Sequence, residues 1–117
     1  DGTPTRTFCY ISDAITGYML CLLSGKSDVY NIGMDKPETT VKGLADIFAS
    51  HGKNLFDYSG TVALQVSEDP AYLTDNPNRR CPDITKARQQ LNYEPKVLVD
   101  EGVGRYLKHL KEEVSGS

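Results

Sequence analysis

The sequence predicts a mixed α/β domain of the α+β type, with more helix than strand. Three observations carry that expectation. Apolar residues recur at helical spacing in three segments, and short runs rich in aromatic and β-branched residues alternate with them. A length of 117 residues with 38% apolar and 25% charged residues suits one foldable domain rather than a disordered chain.

The elements follow in order. After a turn-like Asp1-Gly2-Thr3-Pro4, the segment from Arg6 to Ile11 reads as a short strand. Ser12 or Asp13 can cap a helix carrying Ala14, Ile15, Tyr18, Met19, Leu22 and Leu23, with Gly25 as its stop. Asp28 to Ile32 is a second strand, ended by Gly33. Thr39 or Thr40 caps a second helix with Val41, Leu44, Ala45, Phe48 and Ala49 on one face, ending near Gly52. Thr61 to Val66 is a third strand, and residues 67–82, with three prolines, form an ordered loop. Asp83 caps a short helix through Leu91, where Asn92 supplies a left-handed stop and Pro95 confirms the break. A last helix from Val99 to Val114 carries Val103, Tyr106, Leu107 and Leu110 on its stripe.

Composition excludes several function classes. The longest apolar run, Tyr18 to Leu23, is far short of a membrane span. Net charge is -3, and neither half is a basic nucleic-acid arm or an acidic tail. Three widely spaced cysteines (Cys9, Cys21, Cys81) make no disulfide framework and read as reduced thiols of a cytoplasmic protein. The start at Asp1, without Met or a signal-peptide pattern, leads us to expect a piece of something longer. Residues 1–114 form the expected domain and 115–117 a tail.

Several chemistries have no motif here. No His or Cys stands at metal-ligand spacing from another, no Ser sits in a nucleophile elbow, and no glycine turn of the G-x-G-x-x-G or Walker type occurs. His51 reads as a dipole partner at the end of the second helix, and His109 as a solvated residue of the last.

Two clusters rise above this background. The first, Gly2-Thr3-Pro4-Thr5-Arg6-Thr7-Phe8, puts a forked guanidinium among hydroxyls at the mouth of a strand, where it can hold an anion. The second, Asp75 to Asp83, opens a basic island of Arg79, Arg80, Lys86 and Arg88 just before a helix, a setting that suits phosphate. Taken alone, the first cluster reads better as an exposed arginine at a strand edge and the second as a solvated charge run.

In order and spacing the two clusters resemble the C-terminal part of the NAD-dependent nucleotide-sugar epimerases, dehydratases and decarboxylases, the extended short-chain dehydrogenases. The first cluster resembles that family's G-x-x-x-R-x-F/Y-x-Y-V-x-D segment, and Tyr30-Asn31-Ile32-Gly33 its Y/V-N-I-G strand. Arg79-Arg80-Cys81-Pro82-Asp83-Ile84-Thr85-Lys86-Ala87 resembles R-R-x-P-D-I-x-K-A. Leu91-Asn92-Tyr93-Glu94-Pro95 is similar to L-G-W/Y-x-P, and Glu101-Gly102-Val103 to E-G-L. The likeness runs from residue 1 to about residue 111.

The resemblance implies a small helix-rich substrate domain that grips the nucleotide diphosphate of a UDP- or dTDP-sugar. Arg6 matches one family arginine on the diphosphate, and Arg80, with Arg79, the second. Phe8 would pack beneath the nucleotide or simply fill the core. Asp13 and Asp83 match structural, helix-opening aspartates. Many members carry R-P-G-D upstream of the second arginine; Leu73-Thr74-Asp75-Asn76 stands here and lacks that Arg. The family's NAD turn and its Tyr-x-x-x-Lys acid/base pair are absent from this sequence, because no Tyr has Lys four residues on. Both belong to a Rossmann half, through whose helices full-length members form homodimers. This chain alone is therefore expected to be inactive and to bind no NAD. Within the family the parent is an isomerase or a lyase. Two other classes stay open: a non-catalytic nucleotide- or protein-binding regulatory module derived from the family, and a nucleic-acid binder using the 79–88 island. Overall acidity and the lack of a second basic patch oppose the latter.

Overall fold

Helices account for about half of the chain, and the strands are two-residue bridges. The computed structural model describes residues 2–116, apart from the side chains of Leu73 and Asp75; Asp1 of the expected first turn and Ser117 of the expected tail lie outside the described residues. Two compact units divide the chain, one of Asp1–Arg6, Thr39–Arg80 and Asp100–Ser117, the other of Thr7–Glu38 and Cys81–Val99.

The first unit contains the sheet. Strand β1 (Thr5–Arg6) pairs antiparallel with β2 (Thr39–Thr40) and parallel with β3 (Arg79–Arg80), giving the order β2-β1-β3. The expected strand from Arg6 to Ile11 thus contracts to Thr5–Arg6, because only those two residues meet ladder partners. Helix α2 (Val41–Phe56) starts where expected, the Thr40 hydroxyl accepting the Gly43 N–H at 2.9 Å. It runs past Gly52, which is buried against the Tyr58 ring, and stops at Asp57 in the left-handed region. Gly52 is therefore a packing residue rather than the terminator. The expected strand Thr61 to Val66 pairs with nothing among the described residues.

Within the expected 67–82 loop lies a short helix, α3 (Pro70–Asp75). Asp69 caps it by accepting the Ala71 N–H at 2.9 Å, and Pro70 occupies the first turn. Six residues are too few for periodicity to reveal.

In the second unit, α1 (Ile11–Leu23) begins after an extended Tyr10, with neither Ser12 nor Asp13 in the capping position. Asp13 and Gly17 are its buried residues, while Ile15, Tyr18, Met19, Leu22 and Leu23 are exposed. The inward face is set by Gly17, over which Ile32 and Tyr93 close. Gly25, with a φ of 67°, sits just past the helix end as expected.

The expected strand Asp28 to Ile32 forms no ladder. Side chains meet part of its backbone instead: Asp28 accepts the Val29 N–H and Lys86 donates to the Val29 carbonyl, while the Asn31 side chain donates outward to the Asp83 carbonyl. Helix α4 (Thr85–Leu91) packs Ala87 and Leu91 with Ile84 and Tyr93 into the core, against partly buried Leu20, Cys21, Tyr30 and Ile32. Asn92 ends it in the left-handed conformation with a φ of 53°. From Leu91 to Val99 burial alternates residue by residue with no strand partner. Helix α5 (Val99–Ser115) then returns to the first unit and runs one residue beyond the expected Val114.

Candidate functional site

The parallel pairing of β1 with β3 puts Arg6 opposite Arg80 and Thr5 opposite Arg79. Neighbouring strands lie about 4.8 Å apart, and register partners project to the same face. Arg6 and Arg80 therefore share one face of the sheet, and Arg79 occupies the other. Two guanidinium groups brought together by non-local pairing make a local positive field to which an anion is drawn.

Arg6 is half-buried and held from two sides. Its Nη1 donates to the Thr5 carbonyl at 2.7 Å, and its Nη2 donates to the Asn76 side-chain oxygen. The turn that presents Asn76 is pinned to β1, because the Thr5 N–H donates to the Asn78 carbonyl at 2.8 Å. Arg80 is exposed, and among the described residues no carboxylate pairs with it. Beside Asn76 opens a cleft of about 500 Å³ whose walls include Gly2, Pro4, Lys42, Leu64 and Tyr72. Gly2 has a φ of 80°, and a Cβ there would stand 2.9 Å from the Leu64 side chain, so the cleft wall needs glycine at that place.

The basic island of the sequence divides. Arg79 and Arg80 belong to the first unit, while Lys86 and Arg88 belong to the second and are engaged there. Lys86 pairs with Asp28 at 2.7 Å and lies 5.0 Å from the Tyr30 ring centre. That bond holds the Asp28 carboxyl below its ordinary range. Arg88 pairs with Asp35 at 3.1 Å and Glu94 at 3.5 Å, and the Asp35 bond raises its pKa. These two cations serve the fold, and Arg79 and Arg80 are the members of the island that the sheet carries.

Phe8 lies in the second unit and is half-buried, so Arg6, Arg79 and Arg80 are the site candidates that the sheet collects. Asp83 opens α4 by accepting the Thr85 N–H at 3.0 Å, and its carboxyl is held low by the Thr85 hydroxyl and N–H. Asp13 is structural but caps nothing: buried, it accepts the N–H groups of Lys96 and Val97 at 3.1 and 2.8 Å. His51 stands inside α2, its Nε2 3.1 Å from Asp100 and its ring against Gly104 of α5. It is thus a link between two helices rather than a dipole partner at a helix end. His109 is exposed, 3.3 Å from Glu113.

Asn76, which holds the Arg6 guanidinium, is the residue that sequence reasoning passed over. It was visible only as part of the segment standing where R-P-G-D occurs elsewhere, and its bond to Arg6 spans seventy residues of sequence. Among the described residues no group of three His, Cys, Asp or Glu side chains could hold a metal ion. No helix of the described residues is long and apolar enough to cross a membrane.

Comparison with known proteins supplies a context for this geometry. A family model described as GDP-mannose 4,6 dehydratase matches residues 1–106. The chain is 38% identical over 102 residues to UDP-glucuronic acid decarboxylase 5 of Arabidopsis thaliana, covering 87% of this chain and 27% of that protein. It is 32% identical over 113 residues to UDP-glucuronic acid decarboxylase 1 of Xenopus tropicalis, covering 97% of this chain and 24% of that one. The chain thus spans about a quarter of the length of these relatives. Among solved structures, UDP-glucuronic acid 4-epimerase of Bacillus cereus in complex with NAD superposes with a TM-score of 0.73 at 27% identity, covering 100% of this chain and 33% of the epimerase. UDP-glucose 4-epimerase of Thermotoga maritima with UDP-glucose gives a TM-score of 0.78 at 24% identity, over 97% of this chain and 34% of that one, a likeness of fold.

Proposed function

Because this chain belongs to the GDP-mannose 4,6 dehydratase family, among the nucleotide-sugar epimerases and dehydratases, we propose that it is the substrate-anchoring part of such an enzyme. Its ligand is the diphosphate of a UDP- or dTDP-sugar, and the whole protein is an epimerase, dehydratase or decarboxylase. The observation that carries this is the pairing of Arg6 with Arg80 on one face of the sheet. A diphosphate presents oxygens that a guanidinium fork meets with two parallel N–H bonds. Arg79 adds charge from the other face.

Anchoring of this kind supplies binding energy and orientation, and the sugar projects toward reacting groups elsewhere in the parent protein. Those groups include NAD, which accepts and returns a hydride in the family's chemistry. The residues of this chain do not fit that cofactor. None of its ten glycines forms the turn that admits a pyrophosphate, and α2 follows its strand directly at Thr40 without one. The bond making and the homodimer contacts are assigned to the rest of the parent protein.

Calorimetric titration of UDP against the chain and its Arg6→Ala and Arg80→Ala variants tests the proposal. Each variant is expected to lose affinity about tenfold or more, as one charge-assisted contact implies. Unchanged dissociation constants in both would remove the pair from the site.

A further inference from the structure

The cleft beside Asn76 has walls that a diphosphate does not use. They include the apolar side chains of Val41, Ala45, Leu64 and Val66 and the ring of Tyr72. Lys42 is there too, but its ammonium is met by Asp46 at 2.6 Å. Residues 62–66 line the same cleft, and none of their backbone N–H and carbonyl groups has a hydrogen-bond partner among the described residues. Tyr72 is 55% exposed, and among the described residues nothing bonds its hydroxyl. A lone exposed aromatic calls for no explanation. This one stands on the wall of a cleft of about 500 Å³, a size that small-molecule sites occupy.

Helix α3 ties that ring to the arginine. Tyr72 lies four residues before Asn76, and both line the cleft. The Asn76 side-chain oxygen accepts from Arg6 Nη2, and the Asn78 carbonyl accepts the Thr5 N–H at 2.8 Å. The segment that carries Tyr72 is thus fastened to the strand that carries Arg6. The cleft runs from the residue that holds the guanidinium to an aromatic ring about 5.4 Å further along, one helical turn. A ribose spans a distance of that order between its phosphate and its base. A nucleobase offers a π-face for stacking and an edge of donors and acceptors, which suits an apolar wall with unpaired backbone groups.

We propose that Tyr72 is the platform on which the nucleobase stacks, the cleft holding the nucleoside while Arg6 and Arg80 hold the diphosphate. The inference rests on the reading of the Arg6–Arg80 pair as a diphosphate anchor and adds to it the residue that favours a nucleotide over a bare diphosphate. Tyr72 immediately precedes Leu73-Thr74-Asp75-Asn76, the stretch that lacks the arginine of R-P-G-D. Stacking on its ring offsets the contact that this arginine would make. The aromatic face carries the role, so Phe serves at this position and Leu does not.

The test uses the 117-residue chain and its Tyr72→Phe and Tyr72→Leu variants, with UDP and, as the probe that has no base, inorganic pyrophosphate. Proton NMR follows the uracil H5 and H6 signals of UDP, which an aromatic ring stacked on the base moves upfield. The shift is expected with the unmodified chain and with Tyr72→Phe. Tyr72→Leu is expected to abolish it and to weaken UDP about tenfold, while pyrophosphate binds all three alike. Because Tyr72 is exposed, both variants are expected to keep the amide spectrum of the unmodified chain. An upfield shift that survives Tyr72→Leu, or UDP affinity that this variant leaves unchanged, would overturn the proposal. If Arg6→Ala binds pyrophosphate as the unmodified chain does, the diphosphate reading falls, while the uracil signals still decide whether Tyr72 stacks the base.

Discussion

The carboxylate of Asp13, in the first turn of α1, accepts the backbone N–H of Val97 at 2.8 Å, and that of Lys96 at 3.1 Å through the same oxygen. This explains why the segment after Asn92 runs with alternating burial and no strand partner: a side chain performs the work of a ladder. The acceptor is ionic, buried and shared between two donors, so its loss strands both N–H groups. We expect Asp13→Ala to cost about 3 kcal/mol and Asp13→Asn, which keeps one oxygen, roughly half as much. Urea unfolding followed by circular dichroism measures both. A loss under about 0.5 kcal/mol for the alanine variant would show that water replaces the carboxylate.

Tyr93 binds the same helix from the other side. Its buried hydroxyl, 3.1 Å from the Asp13 carbonyl and 3.2 Å from that of Gly33, shares its proton between them, and Cys9 Sγ lies 3.9 Å away. Burial above all, then the hydrogen bond with Cys9, raises the phenol well beyond its ordinary value of 10.0. Burial also raises the Cys9 thiol above 9.0; the Tyr93 bond lowers it in part, and the Asp13 charge adds to the rise. Both groups ionise more readily in the unfolded chain, so their contribution is intact below those ordinary values and lost as pH climbs past them. Stability should therefore fall from about pH 9 upward, first through Cys9 and then through Tyr93. Tyr93→Phe should be less stable at neutral pH by about 1 kcal/mol and show a flatter alkaline decline. Parallel alkaline slopes for the two proteins would refute this assignment.

The three longer helices and the short α4 were legible in the sequence because their signals are local: apolar spacing, Thr40 as the cap of α2, Gly25 as the stop of α1 and Asn92 as that of α4. The strands were not. Thr39–Thr40 and Arg79–Arg80 are strands only because Thr5–Arg6 lies between them, and nothing in four residues of Thr and Arg announces that. The reverse holds for Asp28–Ile32, whose composition suits a strand but whose Val29 N–H and carbonyl are met by the Asp28 and Lys86 side chains. The same non-locality governs the site. Arg6 and Arg80 stood out in their motifs, whereas the partition of the basic island depended on Asp28 and Asp35, distant in sequence from Lys86 and Arg88.

Gly17 offers a test of packing against propensity. A Cβ added there would stand 2.3 Å from Ile32 Cγ2 and 3.0 Å from the Tyr93 ring. Alanine in a helix interior gains up to about 1 kcal/mol over glycine. Overpacking beside a stiff β-branched side chain costs about 1–3 kcal/mol, which is the larger effect. Gly17→Ala should therefore lower the unfolding free energy, and an additional Ile32→Ala should reduce that loss in a double-mutant cycle. A stabilised Gly17→Ala protein would mean that Ile32 yields at no cost.

Arg79 and Arg80 differ by one residue and by one face of the sheet. Strand alternation separates the two in the proposed anchor: Arg80 shares its face with Arg6, while Arg79 stands with Thr5 on the other. A guanidinium that bonds an anion is worth about 1.5–3 kcal/mol, whereas one acting through solvent at a longer distance adds a fraction of that and is screened by salt. Arg80→Ala should therefore weaken UDP at least about fivefold more than Arg79→Ala. The residual effect of Arg79 should fade as salt rises, while that of Arg80 persists. Equal losses at low and high salt would place both side chains on the ligand, which requires the two-residue strand to twist away from its register with β1.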